Sequence, residues 1–343
     1  MKVLVAGDFA HAIYEPDFCD GLRANGARVA EFHALRFFGP GSLLRRAQDK
    51  SLLGPGPLLA NAALLAACRR ERPDLLLAWR ASWLHPLTIR AARGAGARRV
   101  ALYNNDDPFG PDRDTLRWRK FRRTIPAADL CFAYRAQNLA DYRAAGAREV
   151  HLLRSYYRKE RHHPPALTDA DRARFGCDVV FIGHCEPDTR LEQMDALFAS
   201  GLDVKLFGTG WRLHARGRRW ENRVVEALHG DDYVRAIAAA KVALVFLSAR
   251  NRDDYTRRCF EIPAIGTAML APRTETLRAL FEEGREVALY SNTEELLSTA
   301  RALVADPERR ARMAAAARAR CERDGYDVVG RARQFLADAG APG

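Results

Sequence analysis

A chain of 343 residues is long enough for two domains of ordinary size, each with its own core. With 48% apolar and 29% charged residues it is soluble and globular in composition, and no apolar run approaches the length that spans a bilayer. A net charge of +12 points to an acidic partner (nucleotide phosphate, nucleic acid or an anionic membrane surface), with part of the excess due to arginines scattered through Ala-rich helices.

KVLVAGD (Lys2 to Asp8) is a short buried strand ending in Gly and Asp, the usual opening of a βαβ unit. A helical pattern runs through Ala24 to a stop at Gly26, and ARVAEFH follows as a strand. A Gly/Pro-rich patch (Gly39 to Gly41, then Gly54 to Gly56) interrupts a leucine-rich helical region that ends near Arg72. PDLLLAW, RRVALYN, DLCFAY and EVHLLR complete six strands, with helices predicted at Leu84 to Arg93 and Gln137 to Ala145. Strands alternating with helices make a parallel, doubly wound domain.

Periodicity stops from Arg154 to Gly176, where a Pro pair, two His and mixed charge predict an inter-domain linker. The alternation restarts with CDVVFIGH, a helix (Arg190 to Ser200), DVKLFGTGW, a possible strand at VVEAL and a helix (Asp232 to Ala240). VALVFL (Val242 to Leu247), TAMLAP and EVALY are the last strands, and the pattern is helical from Thr293 onward. Two nucleotide-fold halves of this kind are expected to face one another across a cleft, with a donor on one wall and an acceptor on the other.

Five stretches carry candidate chemistry. DDYTRRCFEIPAIG (Asp253 to Gly266) reads as strand, polar loop, short helix and Gly stop, which places Arg257, Arg258 and Glu261 within about one turn of a helix N-terminus. Arginines suit phosphate and a carboxylate suits ribose hydroxyls; the alternative is a solvated helix start whose charges only cap it. FIGH puts Gly183 at a strand end where a phosphate can approach the backbone, with Arg190 adding charge, unless it is a simple tight turn. FGTGW repeats the device with Gly208 and Gly210 and offers Trp211 as a stacking surface, without a full GxGxxG fingerprint.

NNDDPFG places Asp106 and Asp107 at a strand end, as a general base, for sugar recognition, or as an ordinary turn; His11 is a further candidate base. RDTLRWRKFRR (Arg113 to Arg123) is a basic, aromatic-bearing helix segment, either a solvated face or a surface for anionic lipid or an acidic acceptor. Seven cysteines without CxxC pairs, in odd number and without a signal peptide, predict reduced thiols and a cytoplasmic protein. Zinc-ligand spacings, a serine nucleophile elbow, kinase signatures and nucleic-acid reading motifs are absent from the sequence.

RCFEIPAIGTAMLAPRTETLRALFEEGREVALY resembles the C-terminal half of CgeB-like glycosyltransferases (named for a spore maturation protein B) and of the broader group-1 glycosyltransferases of GT-B fold. DVVFIGHCEPDTRLEQMDALFASGLDVKLFGTGW resembles the start of that domain, and the Ala/Arg-rich tail resembles the closing helices, which return toward the N-terminal domain. The resemblance covers the chain from about Cys177; before that it rests on architecture and YNNDDP.

The resemblance implies an α/β GT-B protein with an acceptor domain at 1–154, a linker at 155–176, a donor domain at 177–325 and a closing helix at 326–343. It also implies a nucleotide-sugar donor, with Glu261 on the ribose, Arg257 or Arg258 on the departing diphosphate, and Asp253 where the group carries a first Glu. Pro263 departs from the group's Ala-rich helix and should shorten or kink it. The expected reaction is sugar transfer to an acceptor hydroxyl (glycan, lipid-linked or protein), with no metal, no further cofactor and no nucleic acid, and with peripheral contact to anionic membrane open. A non-catalytic sugar-nucleotide sensor and a basic nucleic-acid-binding protein remain as alternatives.

Overall fold

The apolar runs form strands buried on both faces, as parallel strands covered by helices must be. In a computed structural model the described residues are 1–39, Gln48 and 53–340. They divide into two units: Met1–Ser155 with Arg250–Arg252 and Val328–Gly343, and Tyr156–Ala249 with Asp253–Asp327. Residues 40–47 and 49–52, which hold much of the interrupted leucine-rich region, lie outside the described residues.

In the first unit β1 (Lys2–Gly7), β2 (Arg28–His33), β3 (Leu75–Trp79), β4 (Arg99–Asn104), β5 (Leu130–Ala133) and β6 (Val150–Leu152) form one parallel sheet. Its order is β2-β1-β3-β4-β5-β6. All five residues of β3 are buried, whereas β2, at the edge, buries only Phe32. Leu64, Ile89 and Phe121 on the covering helices pack with Leu4, Leu76 and Leu102 of the strands. The last helix, Val328–Asp338, also belongs here: Phe335 meets Phe18 at 5.4 Å and Phe132 at 4.6 Å, and Arg331 donates to the Ser155 carbonyl.

The second unit repeats the plan with β7 (Cys177–Ile182), β8 (Val204–Phe207), β9 (Val224–Val225), β10 (Ala240–Leu244), β11 (Ala268–Pro272) and β12 (Ala288–Tyr290). They are parallel, in the order β12-β11-β10-β7-β8-β9, with Val179 registered to Val242 on one side and Val204 on the other. The stretch from Tyr156 belongs to this unit, and the segment expected to be a linker carries a helix, Asp169–Phe175. A capping box explains that helix: Thr168 accepts from the Asp171 N–H while Asp171 accepts from the Thr168 N–H. All seven cysteines are buried and without disulfides.

Each sheet reverses its strand order once, between β1 and β3 in the first unit and between β7 and β10 in the second. Ligands of open parallel sheets bind beyond the carboxyl ends of the strands at such a reversal. In the second unit that position is filled by the loop after β7 and by the helix Arg258–Ile265 after β10. Pro263 lies inside this helix, which ends two residues later; Gly266, at φ 88°, closes it by donating to the Ile262 carbonyl. Phe260 and Ile262 are fully buried, each contributing about 1.5–3 kcal/mol, and this anchorage fixes where the helix start points.

Candidate functional site

Gly183 and Arg258, 75 positions apart in the sequence, meet at the reversal of the second sheet. A Cβ built on Gly183 falls 3.1 Å from Arg258 Nη2 and 2.8 Å from the Phe181 ring, so the guanidinium lies against bare backbone. Arg258 opens its helix, where unpaired N–H groups and the dipole favour an anion. Three polar atoms on this loop, Arg258 Nε, Thr256 Oγ1 and Asp254 Oδ1, are buried with no hydrogen-bond partner among the described residues. Buried polar groups are normally satisfied by protein, water or ligand, so these three orphans on one loop fit a place that binds water or a polar ligand.

The other glycines there serve the protein itself. Gly208 has φ 146°, and a Cβ would fall 2.0 Å from the Gly183 carbonyl oxygen, so this glycine lets β8 and the β7 loop touch. Gly210, at φ 83°, makes the same room for the His184 ring. Trp211 is no stacking surface for a ligand: it is fully buried, packs edge-on to Phe181 and Trp220, and donates Nε1–H to the Gly183 carbonyl at 2.7 Å. Gly208→Ala should therefore cost about 1–3 kcal/mol, the range for overpacking, read as a lower urea midpoint at unchanged slope.

Arg190 also turns inward. It is 5% exposed, forks onto Asp188, and donates to the His184 carbonyl after β7 and the Leu247 carbonyl after β10. It pins the two loops that frame the reversal, and Ser248 donating to Glu186 at 2.9 Å does the same beside it. Asp253 accepts from the Ser248 N–H at 3.3 Å and so closes its own loop.

Glu261 sits in a buried polar cluster with Arg257, and two further members, Tyr233 and His162, gave no signal in the sequence. Its side chain is 8% exposed; Tyr233 donates to Oε2 at 2.6 Å, Arg257 donates to Oε1 at 2.6 Å, and His162 Nε2 stands 3.6 Å away. Burial alone would raise this carboxyl; the charges of His162 and Arg257 and the bonds from Tyr233 and Arg257 outweigh it and hold the pKa at about 2. The Arg158 N–H meets His162 Nδ1 at 3.0 Å, which turns Nε2 toward Glu261. Arg257, also stacked over Tyr156 at 4.9 Å, thus orients Glu261, and Arg258 is the arginine set against Gly183.

In the first unit the two aspartates part ways. Asp107 is fully buried and accepts from Arg252 Nε at 2.6 Å, Asn138 Nδ2 at 2.9 Å and the Phe109 N–H at 2.9 Å. It cannot serve as a base for an outside hydroxyl; it is the anchor of its turn. Asp106 is partly exposed, with Arg80 at 3.7 Å. Arg80 lies over the Tyr14 ring at 5.3 Å, and His11 is exposed on the same stretch, 6.2 Å ring to ring from Tyr14. Arg80 and Phe9 both take positive φ (50° and 52°) beyond the carboxyl ends of β3 and β1, strain of a kind that clusters at functional sites. Beneath them Glu15 is 1% exposed, with its carboxyl raised mainly by burial, in a space that Gly7 leaves open.

This architecture is the GT-B fold of glycosyltransferases. The chain superimposes on sucrose-phosphate synthase (tll1590) from Thermosynechococcus elongatus with TM-score 0.71, at 14% identity over 98% of each chain. Anabaena Alr3699/HepE in complex with UDP-glucose gives 0.69 at 16% identity over 100% of each chain. The α,α-trehalose 6-phosphate synthase from Burkholderia multivorans gives 0.64 at 11% identity over 99% of this chain and 98% of that one. Within the chain, residues 190–337 match the family described as glycosyl transferase-like. No curated protein matches the sequence.

Proposed function

We propose that the protein is a glycosyltransferase that moves a hexose from a nucleoside-diphosphate sugar to the hydroxyl of a glycan, lipid-linked or protein acceptor. The observation that carries this reading is Arg258 against Gly183 at a helix N-terminus, among orphaned polar atoms at a strand reversal. In the transfer the acceptor oxygen bonds to the anomeric carbon while the bond to the β-phosphate oxygen breaks. The electron pair stays on the diphosphate, and fixed positive charge there lowers the barrier. Arg258 and the helix start supply that charge in this proposal, and Glu261 receives the ribose hydroxyls through lone pairs left by Tyr233 and Arg257. Partly exposed Asp106 and exposed His11 of the first unit are the candidates for taking the acceptor proton.

Thermal shift against UDP-, GDP-, TDP- and ADP-sugars tests the reading. One donor should stabilise the protein, by about 2.7 kcal/mol at a hundred-fold excess over Kd. In Gly183→Ala, whose methyl displaces Arg258, that donor should bind at least about ten-fold more weakly, equal to 1.4 kcal/mol. Slow release of nucleoside diphosphate by the wild type adds catalysis. Stabilisation by no donor overturns the site, and binding with no release across acceptor classes leaves a sensor.

A further inference from the structure

We infer that the first unit docks on an anionic lipid bilayer through an apolar groove beside β3. The groove encloses about 440 Å³ between the starts of two helices, Pro55–Glu71 and Pro86–Gly94, and the helix Leu116–Thr124. Pro57, Leu58, Trp83 and Pro86 form its walls, Lys120 and Arg123 add positive charge, and no acidic side chain lines it among the described residues. Asn61 makes the walls rigid by donating to the Trp83 carbonyl at 3.0 Å and accepting from the His85 N–H at 2.9 Å.

Leu53, Leu58, Leu59 and Leu87 are 62%, 72%, 56% and 63% exposed, on or next to the segments that form the groove. Single exposed leucines are ordinary, but four on the segments around one apolar groove form the kind of patch that marks an interaction site. Trp83, buried against the groove, keeps an indole N–H without an acceptor among the described residues.

Charge selects the occupant. The cores of protein interfaces are depleted in charged residues, whereas an anionic leaflet attracts Lys and Arg at its phosphates while leucines enter the acyl boundary. The exposed Arg117, Arg119 and Arg123 of the third helix extend the same positive face. Trp118 and Phe121 of that helix are buried, which settles how its sequence divides: aromatics to the core, arginines outward. The groove, rather than this helix alone, supplies the apolar half of the surface.

Sedimentation with vesicles tests the inference. The full chain should pellet with phosphatidylglycerol/phosphatidylcholine vesicles and not with phosphatidylcholine alone. Each basic residue near an anionic surface accounts for about a five-fold change in partitioning, so Lys120→Glu with Arg123→Glu should weaken binding at least about ten-fold. Leu58→Asp with Leu59→Asp should do likewise, at exposed positions near a helix N-terminus where acidic residues are tolerated. Anionic vesicles should also shift tryptophan emission, and Trp83→Phe should remove that shift. Equal binding of wild type and both double variants overturns the inference, as does failure to bind anionic vesicles. A dimer that Leu58→Asp dissociates would assign the groove to a second copy instead.

Discussion

Arg258→Ala should lower turnover of the bound donor by about 10²–10³-fold, the effect of removing one preorganised group from developing transition-state charge. The reason is local. Arg258 stands at the helix start over bare Gly183 backbone with Nε unpaired, so removing it breaks no internal bond of that nitrogen. The melting temperature should stay within a few degrees, because half-buried side chains without broken partners cost little. Arg258→Lys should recover only part of the rate, since an ammonium is a point charge and lacks the planar fork that matches phosphate. Arg190→Ala gives the contrast. It strips donors from the His184 and Leu247 carbonyls and from Asp188, so its effect should appear as lost stability before lost rate. A turnover loss in Arg190→Ala at unchanged melting, with Arg258→Ala fully active, would exchange the roles of the two arginines.

That contrast also shows what the amino-acid pattern can carry. Buried parallel strands are continuous apolar runs, so CDVVFI, VKLF and AMLAP announce their strands with no tertiary information. Gly183, Arg258 and Glu261 could be proposed from the sequence because they follow such runs at strand ends, the place where ligands of open parallel sheets bind. Sequence does not say whether a polar side chain is satisfied from within. Arg190, Asp107 and Trp211 all have the right chemistry for a ligand, and all three spend it on carbonyls, amides and rings of their own unit. Local turn composition pointed correctly to a turn at Asp107 but could not show Arg252 arriving from a distant loop to neutralise it. Tyr233 and His162 escaped for the same reason. Their contacts with Glu261 join residues far apart in sequence, and a lone Tyr on a helix or a His beside a Pro pair carries no signal of them.

Glu261→Gln should destabilise the protein by about 3–5 kcal/mol at neutral pH, the cost of removing one partner from a buried charge pair. Arg257 and His162 would face a neutral amide at a largely buried position, and the Tyr233 hydroxyl would keep only a weaker acceptor. The pH dependence separates this from simple misfit. Glu261 is held at about 2 in the folded protein against an ordinary 4.5, so its unfolded form takes up a proton first as the medium is acidified. The stabilisation it confers is therefore complete above about pH 4.5 and lost progressively as the pH falls toward 2. Urea midpoints measured from pH 6 to pH 2.5 should fall more steeply for the wild type than for Glu261→Gln, bringing the two curves together at the acid end. A gap that stays constant over that window would mean that Glu261 is not held as a buried carboxylate by Arg257 and His162. Donor binding adds a second readout. If the ribose rests on this carboxylate, Glu261→Gln should weaken binding of the donor by the folded fraction at pH 7, and Arg257→Lys should weaken it less because a cation remains beside Glu261.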